Sequence, residues 1–423
     1  MRHQSTYPVY LDHAAMGMPS AATIAAVSRL MERLVSPNLT GTERSLELFE
    51  AVERARRQAA VLVNVDPSCV QLVENTSRGL GLIASSLPLA EGDNVLVDDL
   101  EFLSATVSWR AVSRQQRVEI RPVRTQGGRV LPQDFARVAD NRTRVLILSS
   151  VQEVTGFRCD LGAFGHLAKD LDAVLIVDGI QEAGAMHVDL KQTPVDAYCA
   201  GGSKWLRSPF GLGFLYVSPS LLSRLSPPTF GYLALNEPKS GWQEYLQSPG
   251  RTPFDPLPEL PDARKLSSGG MPNGPGAVAL EQAIREICEL GTQDTSSRIS
   301  KLRTLLIGEL IQSGAEVRAL GDSSMENNCG SGIVCFGLKA GINAELKLLS
   351  ELLKANVKVS LRYISGIGGI RASLHYDNTA EDVRALLEVV RHAKSGSRIA
   401  YSKQLVYSLQ KKEKKGMKCK LND

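Results

Sequence analysis

The chain has 423 residues, 43% of them hydrophobic and 22% charged, and a formal net charge of +4. That balance belongs to a globular protein of more than one domain, and so small a charge gives no reason to invoke nucleic acid or a membrane surface. No stretch approaches the roughly 18 uncharged apolar residues of a membrane span, and the opening MRHQSTYPVYLDHAA lacks the apolar core of a secretory signal.

Taken in chain order, the first pattern is helical, from about residue 22 to 62, interrupted at Asn38, Thr40 and Gly41. A repeated alternation follows. VQLVEN reads as a strand ending in a polar turn, with TSRGLGLIASSLP as the helix after it. NVLVDD, VEIRPVR, RVLILSS, AVLIVDG, AYCAGG and GFLYVS continue the strands, and SATVSWRAVSRQQ reads as a helix. Short Val/Ile/Leu runs without polar alternation suit a sheet buried on both faces, and strands alternating with helices imply a mainly parallel α/β sheet.

Residues from about 227 to 275 are rich in Pro, Gly and Ser and read as loops with a function or an interface. The helix PGAVALEQAIREICEL then opens an α+β unit containing GIVCFGL, KLLSELLKANV, VSLRYI, IRASLHY and DVRALLEVVRHA. The expected organisation is an N-terminal segment (1–20) serving the small domain and the site entrance, a large domain (21–275), a small C-terminal α+β domain (276–400) and a basic tail (401–423). The seven cysteines (69, 159, 199, 288, 329, 335 and 419) form no C-x-x-C pair. Neither a disulfide framework nor a metal site is therefore expected, and a reducing, cytoplasmic setting fits best.

The most informative stretch runs from VLIVDGIQEAG to YCAGGSKWLRSPFGLGFLYV. A buried strand delivers Asp178 at its C-terminal end, where ligands bind in open α/β sheets. A second strand ends in a glycine-rich turn carrying Lys204 beside Trp205. A lysine kept from water becomes a nucleophilic amine. Pyridoxal phosphate needs such an amine, and an acid beside its pyridine nitrogen. A nucleotide-binding protein would instead show G-x-G-x-x-G after an early strand; FGLGF follows the lysine and precedes another strand.

With these residues in view, the chain resembles the class V aminotransferases of fold type I, the group of cysteine desulfurases, kynureninase and isopenicillin N epimerase. The resemblance runs from YLDHAA to IRASLHYDNTAEDV. It implies a large domain with a mainly parallel seven-stranded sheet, a smaller α+β C-terminal domain, pyridoxal 5'-phosphate as cofactor and a homodimer with shared active sites. It implies Lys204 as the Schiff-base lysine, Asp178 as partner of the pyridine nitrogen and Gln181 as partner of the ring hydroxyl. Thr76 and Ser77 in ENTSRG would form the phosphate cup, since hydroxyls and free N–H groups at a helix N-terminus favour a phosphate; an ordinary N-cap is the plainer reading of Thr76. Phe102 would lie over the cofactor face, with a core phenylalanine the competing reading, and Ser203 would be a phosphate contact. Arg371 would grip a substrate carboxylate through its two-donor fork, with an ion pair at a strand end the competing reading, and Arg362 is a second candidate. His13 would line the entrance, or else be a capping or core histidine.

Three departures bear on the reaction. The family's desulfurases carry a cysteine shortly before the carboxylate-binding arginine, where this chain reads RYISGIGGIR. Gly270-Met271-Pro272-Asn273 replaces a G-T-P-N segment whose threonine reaches the partner's cofactor phosphate. Glu153 stands where several relatives have asparagine, and could be an acid/base, recognise an amine or point to solvent. The resemblance therefore implies an enzyme acting on an amino acid or amino-acid-derived substrate at Cα or Cβ, of epimerase or C–S lyase type. Transamination or decarboxylative C–C bond formation is the alternative, and a non-catalytic protein of this fold is the rival from another class.

Overall fold

A computed structural model describes residues 8–227, 231–267, 269–318 and 330–395. The basic tail, Cys329 and Cys419 lie outside the described residues. The strands are β1 (Val9–Tyr10), β2 (Val70–Val73), β3 (Asn94–Asp98), β4 (Glu119–Val123), β5 (Thr143–Ser149), β6 (Val174–Asp178), β7 (Ala197–Gly201), β8 (Gly213–Val217), β9 (Glu316–Val317), β10 (Ile333–Gly337), β11 (Val357–Lys358), β12 (Ser360–Ile364) and β13 (Ile367–Ser373).

Seven strands form the large sheet in the order β2-β8-β7-β6-β5-β3-β4. The pairings among β3 to β7 are parallel, whereas β8 runs antiparallel to both β7 and β2. The reversal has a simple cause. Parallel neighbours need a long crossover, and the segment between β7 and β8 contains no helix to make one. It turns straight back, and Lys204 sits in that turn.

Both faces of the sheet are covered, which explains the unbroken apolar runs. Leu146, Leu148, Leu175 and Val177 face one core, against Ala51, Ala55, Ala59 and Phe164. Their neighbours Val145, Ile147, Val174 and Ile176 face the other, against Leu80, Ile83, Trp109 and Val112. The period of two is present but hidden, because neither face meets water.

The break after the first helix, Ala21–Leu34, is set by capping. Thr40 caps the helix Gly41–Leu62, its hydroxyl accepting from the Glu43 N–H while the Glu43 carboxylate accepts from the Thr40 N–H. Such a reciprocal box fixes a helix start and contributes about 1 kcal/mol.

The smaller sheet is antiparallel, in the order β12-β13-β10-β9. Phe336 and Ile370 share its core with Leu306, Leu352 and Leu386 from three helices. β1 pairs with β11, and Val9 and Leu11 join this same core. The helix Gly274–Leu290 departs from the division expected at residue 276. It sends Ala277, Leu280, Ile284 and Ile287 into a core of the large sheet, so the packing boundary falls after it. Among the described residues of the stretch from 227 to 275, three short helical segments, Tyr232–Ala234, Gly241–Gln247 and Ala263–Leu266, precede the helix that starts at Gly274.

A fourth cluster, Ala14, Val151, Ala185, Met186, Trp205, Ile299 and Ile333, joins the two units behind the Lys204 turn. Gly156 lies at this junction with φ +74°, and a Cβ there would stand 2.3 Å from the Ile333 carbonyl oxygen. Gly156→Ala is expected to destabilise the protein by about 2 kcal/mol or more, from left-handed strain plus overpacking. A thermal melt checks this, and an unchanged midpoint would contradict so tight a junction.

Candidate active site

The site lies where the C-terminal ends of β6 and β7 meet the small sheet. Asp178 ends β6 and is 3% exposed, with one carboxylate oxygen accepting from the Ile180 N–H at 3.0 Å. Burial pushes its pKa up to about 7, against the Ile180 hydrogen bond, and the buried Glu101 adds to the rise. The Lys204 ammonium draws it back down. The reciprocal effect appears at Lys204, whose pKa burial lowers while Asp178 and Glu153 oppose the fall. The sequence-predicted pair is thus brought together by two adjoining strand ends.

Phe102 is 48% exposed, which removes the core reading, and its ring centroid lies 5.9 Å from Lys204 Nζ. Thr76 is the first residue of the helix Thr76–Ser86, and the cap is Asn75, whose side chain accepts from the Arg78 N–H. Thr76 is free for another task. Its Oγ1 accepts from the Gly201 N–H at 2.9 Å, which leaves its hydroxyl proton to donate. Ser77 Oγ lies 2.6 Å from Ser104 Oγ, bringing a third hydroxyl to the same helix end. Ser203 is half-buried, and its carbonyl holds the Gly17 N–H at 2.8 Å.

Gln181 and His13 stand deeper than a surface lining. The Gln181 amide donates to the Ala14 carbonyl at 3.2 Å and accepts from the Trp205 indole at 2.7 Å, so it braces the residue next to Lys204. His13 is 1% exposed, packed against Tyr10, Trp205 and His375 rather than at an entrance. Burial pushes its pKa down to about 2, helped by His375 and Arg207. It is a neutral ring in the wall behind the site.

Arg371 lies on β13, 1% exposed. Its Nη1 donates to the Glu153 carbonyl at 2.9 Å and lies 3.5 Å from the Glu153 carboxylate, while Nη2 lies 3.5 Å from Asp12. Arg362 is exposed on β12, with Nη1 donating to the Leu361 carbonyl. Among these, Asp12 was missed by sequence reasoning although it precedes His13 in YLDHAA.

Glu101 was missed as well. An acidic DDLE run reads as a wet turn, yet Glu101 is 6% exposed. Its carboxylate accepts from the Ser149 N–H and hydroxyl and from Gln152, tying the Phe102 loop to the Glu153 loop. Asp98 beside it is held well above the usual carboxylate range by burial and by Glu101.

These residues fit pyridoxal phosphate. A buried carboxyl whose pKa is raised for want of a cation matches a protonated pyridine nitrogen, a desolvated lysine matches its aldehyde, and a hydroxyl-lined helix start matches its phosphate. Fold and site together define a pyridoxal-phosphate-dependent enzyme.

The chain belongs to the aminotransferase class-V family, whose model matches residues 9–386. It is 25% identical over 405 residues to a probable cysteine desulfurase of Methanothermobacter thermautotrophicus, covering 90% of this chain and 94% of that one. It is 32% identical over 181 residues to isopenicillin N epimerase of Streptomyces clavuligerus, 41% of this chain and 45% of that one. Among solved structures, the cystine C–S lyase C-DES in complex with cysteine persulfide superposes with a TM-score of 0.79 at 20% identity, covering 91% of this chain and 98% of that one. The cysteine desulfurase of Thermococcus onnurineus gives 0.78 at 20% identity, covering 92% and 95%. These two superpositions speak for the fold.

An acid raised on folding from its ordinary 3.8 to about 7 stabilises the fold at low pH and loses that contribution as pH climbs through this range. In the cofactor-free protein the Asp178 contribution is therefore expected to fall from about pH 4 to about pH 7, against the opposite trend of the buried His13, so the stability difference should shift in favour of Asp178→Asn across this range. Denaturant titrations across pH check this, and parallel curves for the two proteins would contradict the buried, raised Asp178.

Proposed function

We propose that this class-V enzyme carries its cofactor on Lys204 and acts at Cα or Cβ of an amino-acid-derived amino compound, without a protein-borne persulfide. The observation that carries this is the meeting of a buried Asp178 and a half-buried Lys204 whose pKa burial lowers, with the Phe102 ring beside the amine.

When bound, the cofactor supplies an electron sink for the bonds at the substrate's Cα. The chain's own residues do the rest. Asp178, ionised against the ring nitrogen, would keep that nitrogen protonated. The hydroxyls of Thr76, Ser77 and Ser104, with the helix N–H groups, would hold the phosphate. Phe102 would cover one face and limit access of water. Lys204 would supply the amine that attaches the cofactor and would hold or move a proton at the substrate's Cα; burial lowers its pKa, which favours the neutral form able to take one.

Two observations favour the epimerase or lyase direction over desulfuration. The segment before Arg371 is a tight hairpin, with Ile364 paired to Ile367 and both Ser365 and Gly366 at positive φ, so no loop extends towards the site. Cys335 is buried on β10, where burial pushes its thiol up to about 12. Neither offers a thiolate.

A homodimer is part of this reading. Phe210 and Met271 are exposed at 66% and 57%, and the Asn273 amide bonds to the Gly211 carbonyl between them, so an apolar surface adjoins the Lys204 turn. Among the described residues no helix is long and apolar enough to cross a membrane, which is compatible with the cytoplasmic setting proposed from the sequence.

The test is spectroscopic. Purified protein should show the visible band of lysine-bound cofactor, Lys204→Ala should lose it while keeping its fold, and an accepted amino compound should exchange its Cα hydrogen with solvent deuterium. A band retained in Lys204→Ala would move the attachment to another lysine.

A further inference from the structure

The surroundings of Arg371 bear on which amino compounds the site accepts. Nε of Arg371 donates to Ser360 Oγ at 3.2 Å, and that hydroxyl donates to Asp12 at 2.9 Å. One Nη faces the Glu153 carbonyl and carboxylate and the other faces Asp12. Both arms of the fork therefore already look at carboxylates of the chain itself. Asp12 and Glu153, 21% and 19% exposed, set two carboxylates against the buried Arg371 guanidinium, an excess of negative charge that the nearby Lys204 amine offsets in part. Arg362 is exposed and partnered with a backbone carbonyl, so it offsets this charge only from the solvent side.

An incoming carboxylate would have to compete with Glu153, a tethered rival at high effective concentration, and would meet its repulsion. An uncharged carbonyl group meets neither obstacle. It can still accept from Arg371, and an amide N–H can donate to Glu153.

We propose that Glu153 is a specificity-determining residue that occupies the Arg371 fork and directs the site towards amino compounds whose carboxyl end is uncharged, such as amino-acid amides. The inference rests on the amino-compound reading above and names the substrate class within it.

The experiment is a binding titration of holoenzyme, read from the shift of the cofactor's visible band, with matched acid and amide pairs of several amino acids. The wild type should bind amides at least about tenfold more tightly than the matching acids. Glu153→Gln, whose retained band certifies its fold, should lower or reverse that ratio by a similar factor. Acids binding as tightly as amides in the wild type, with Glu153→Gln leaving the ratio unchanged, would overturn the proposal. So would a preference for acids that vanishes in Arg362→Ala, which would place carboxylate recognition on Arg362. If no member of either series shifts the band, the amino-compound reading itself falls and takes this inference with it.

Discussion

A buried carboxyl and a half-buried amine act on one another at two neighbouring strand ends, and the architecture is what makes that possible. An isolated carboxyl or amine in a low-dielectric interior is costly, and it is tolerated where opposite charge or a ligand compensates. Asp178 and Lys204 occupy the ends of neighbouring strands because β7 returns directly into β8 instead of crossing over through a helix. The single antiparallel strand inside the large sheet is therefore tied to the chemistry: it brings the lysine turn back beside the carboxylate. Trp205, next in sequence to Lys204 and fully buried, anchors that turn through Gln181 and the cluster joining the two units.

Around this pair the structure arranges two kinds of polar group. The first kind is open to a ligand: the Thr76, Ser77 and Ser104 hydroxyls at a helix start, the Phe102 ring and the unpaired side of Asp178's raised carboxyl. The second kind is already satisfied from within. Glu101 holds three donors of the β5 end, Gln181 is bonded at both ends, and Arg371 faces two carboxylates. Groups of the second kind hold the geometry, while those of the first would meet the cofactor. Glu153 belongs partly to both, and this position makes it the natural point at which specificity is set.

Much of this was legible in the chain. Runs such as VLIVD and RVLILSS, too short for helices and too apolar for one-sided strands, correspond to β6 and β5, and the α/β order followed from them. Asp178 and Lys204 could be read because each stands where an apolar strand gives way to a glycine. Other features were not legible because they depend on contacts between distant segments. Glu101 looks like part of a wet acidic turn until Ser149 and Gln152 close over it. His13 looks accessible until Trp205 and His375 pack on either side. The allegiance of the helix Gly274–Leu290 depends on its partner, the helix Gly41–Leu62, far away in sequence. Local pattern names an element, but only tertiary packing decides what it belongs to.

The central claim is that Lys204, and no other lysine, bears the cofactor. It is tested most directly by reducing the holoenzyme with borohydride, digesting it and mapping the pyridoxyl mass by peptide sequencing. The account predicts the label on Lys204, in the peptide running from the glycine turn into Trp205. A label on any other lysine, or none on a protein that binds the cofactor, would contradict it.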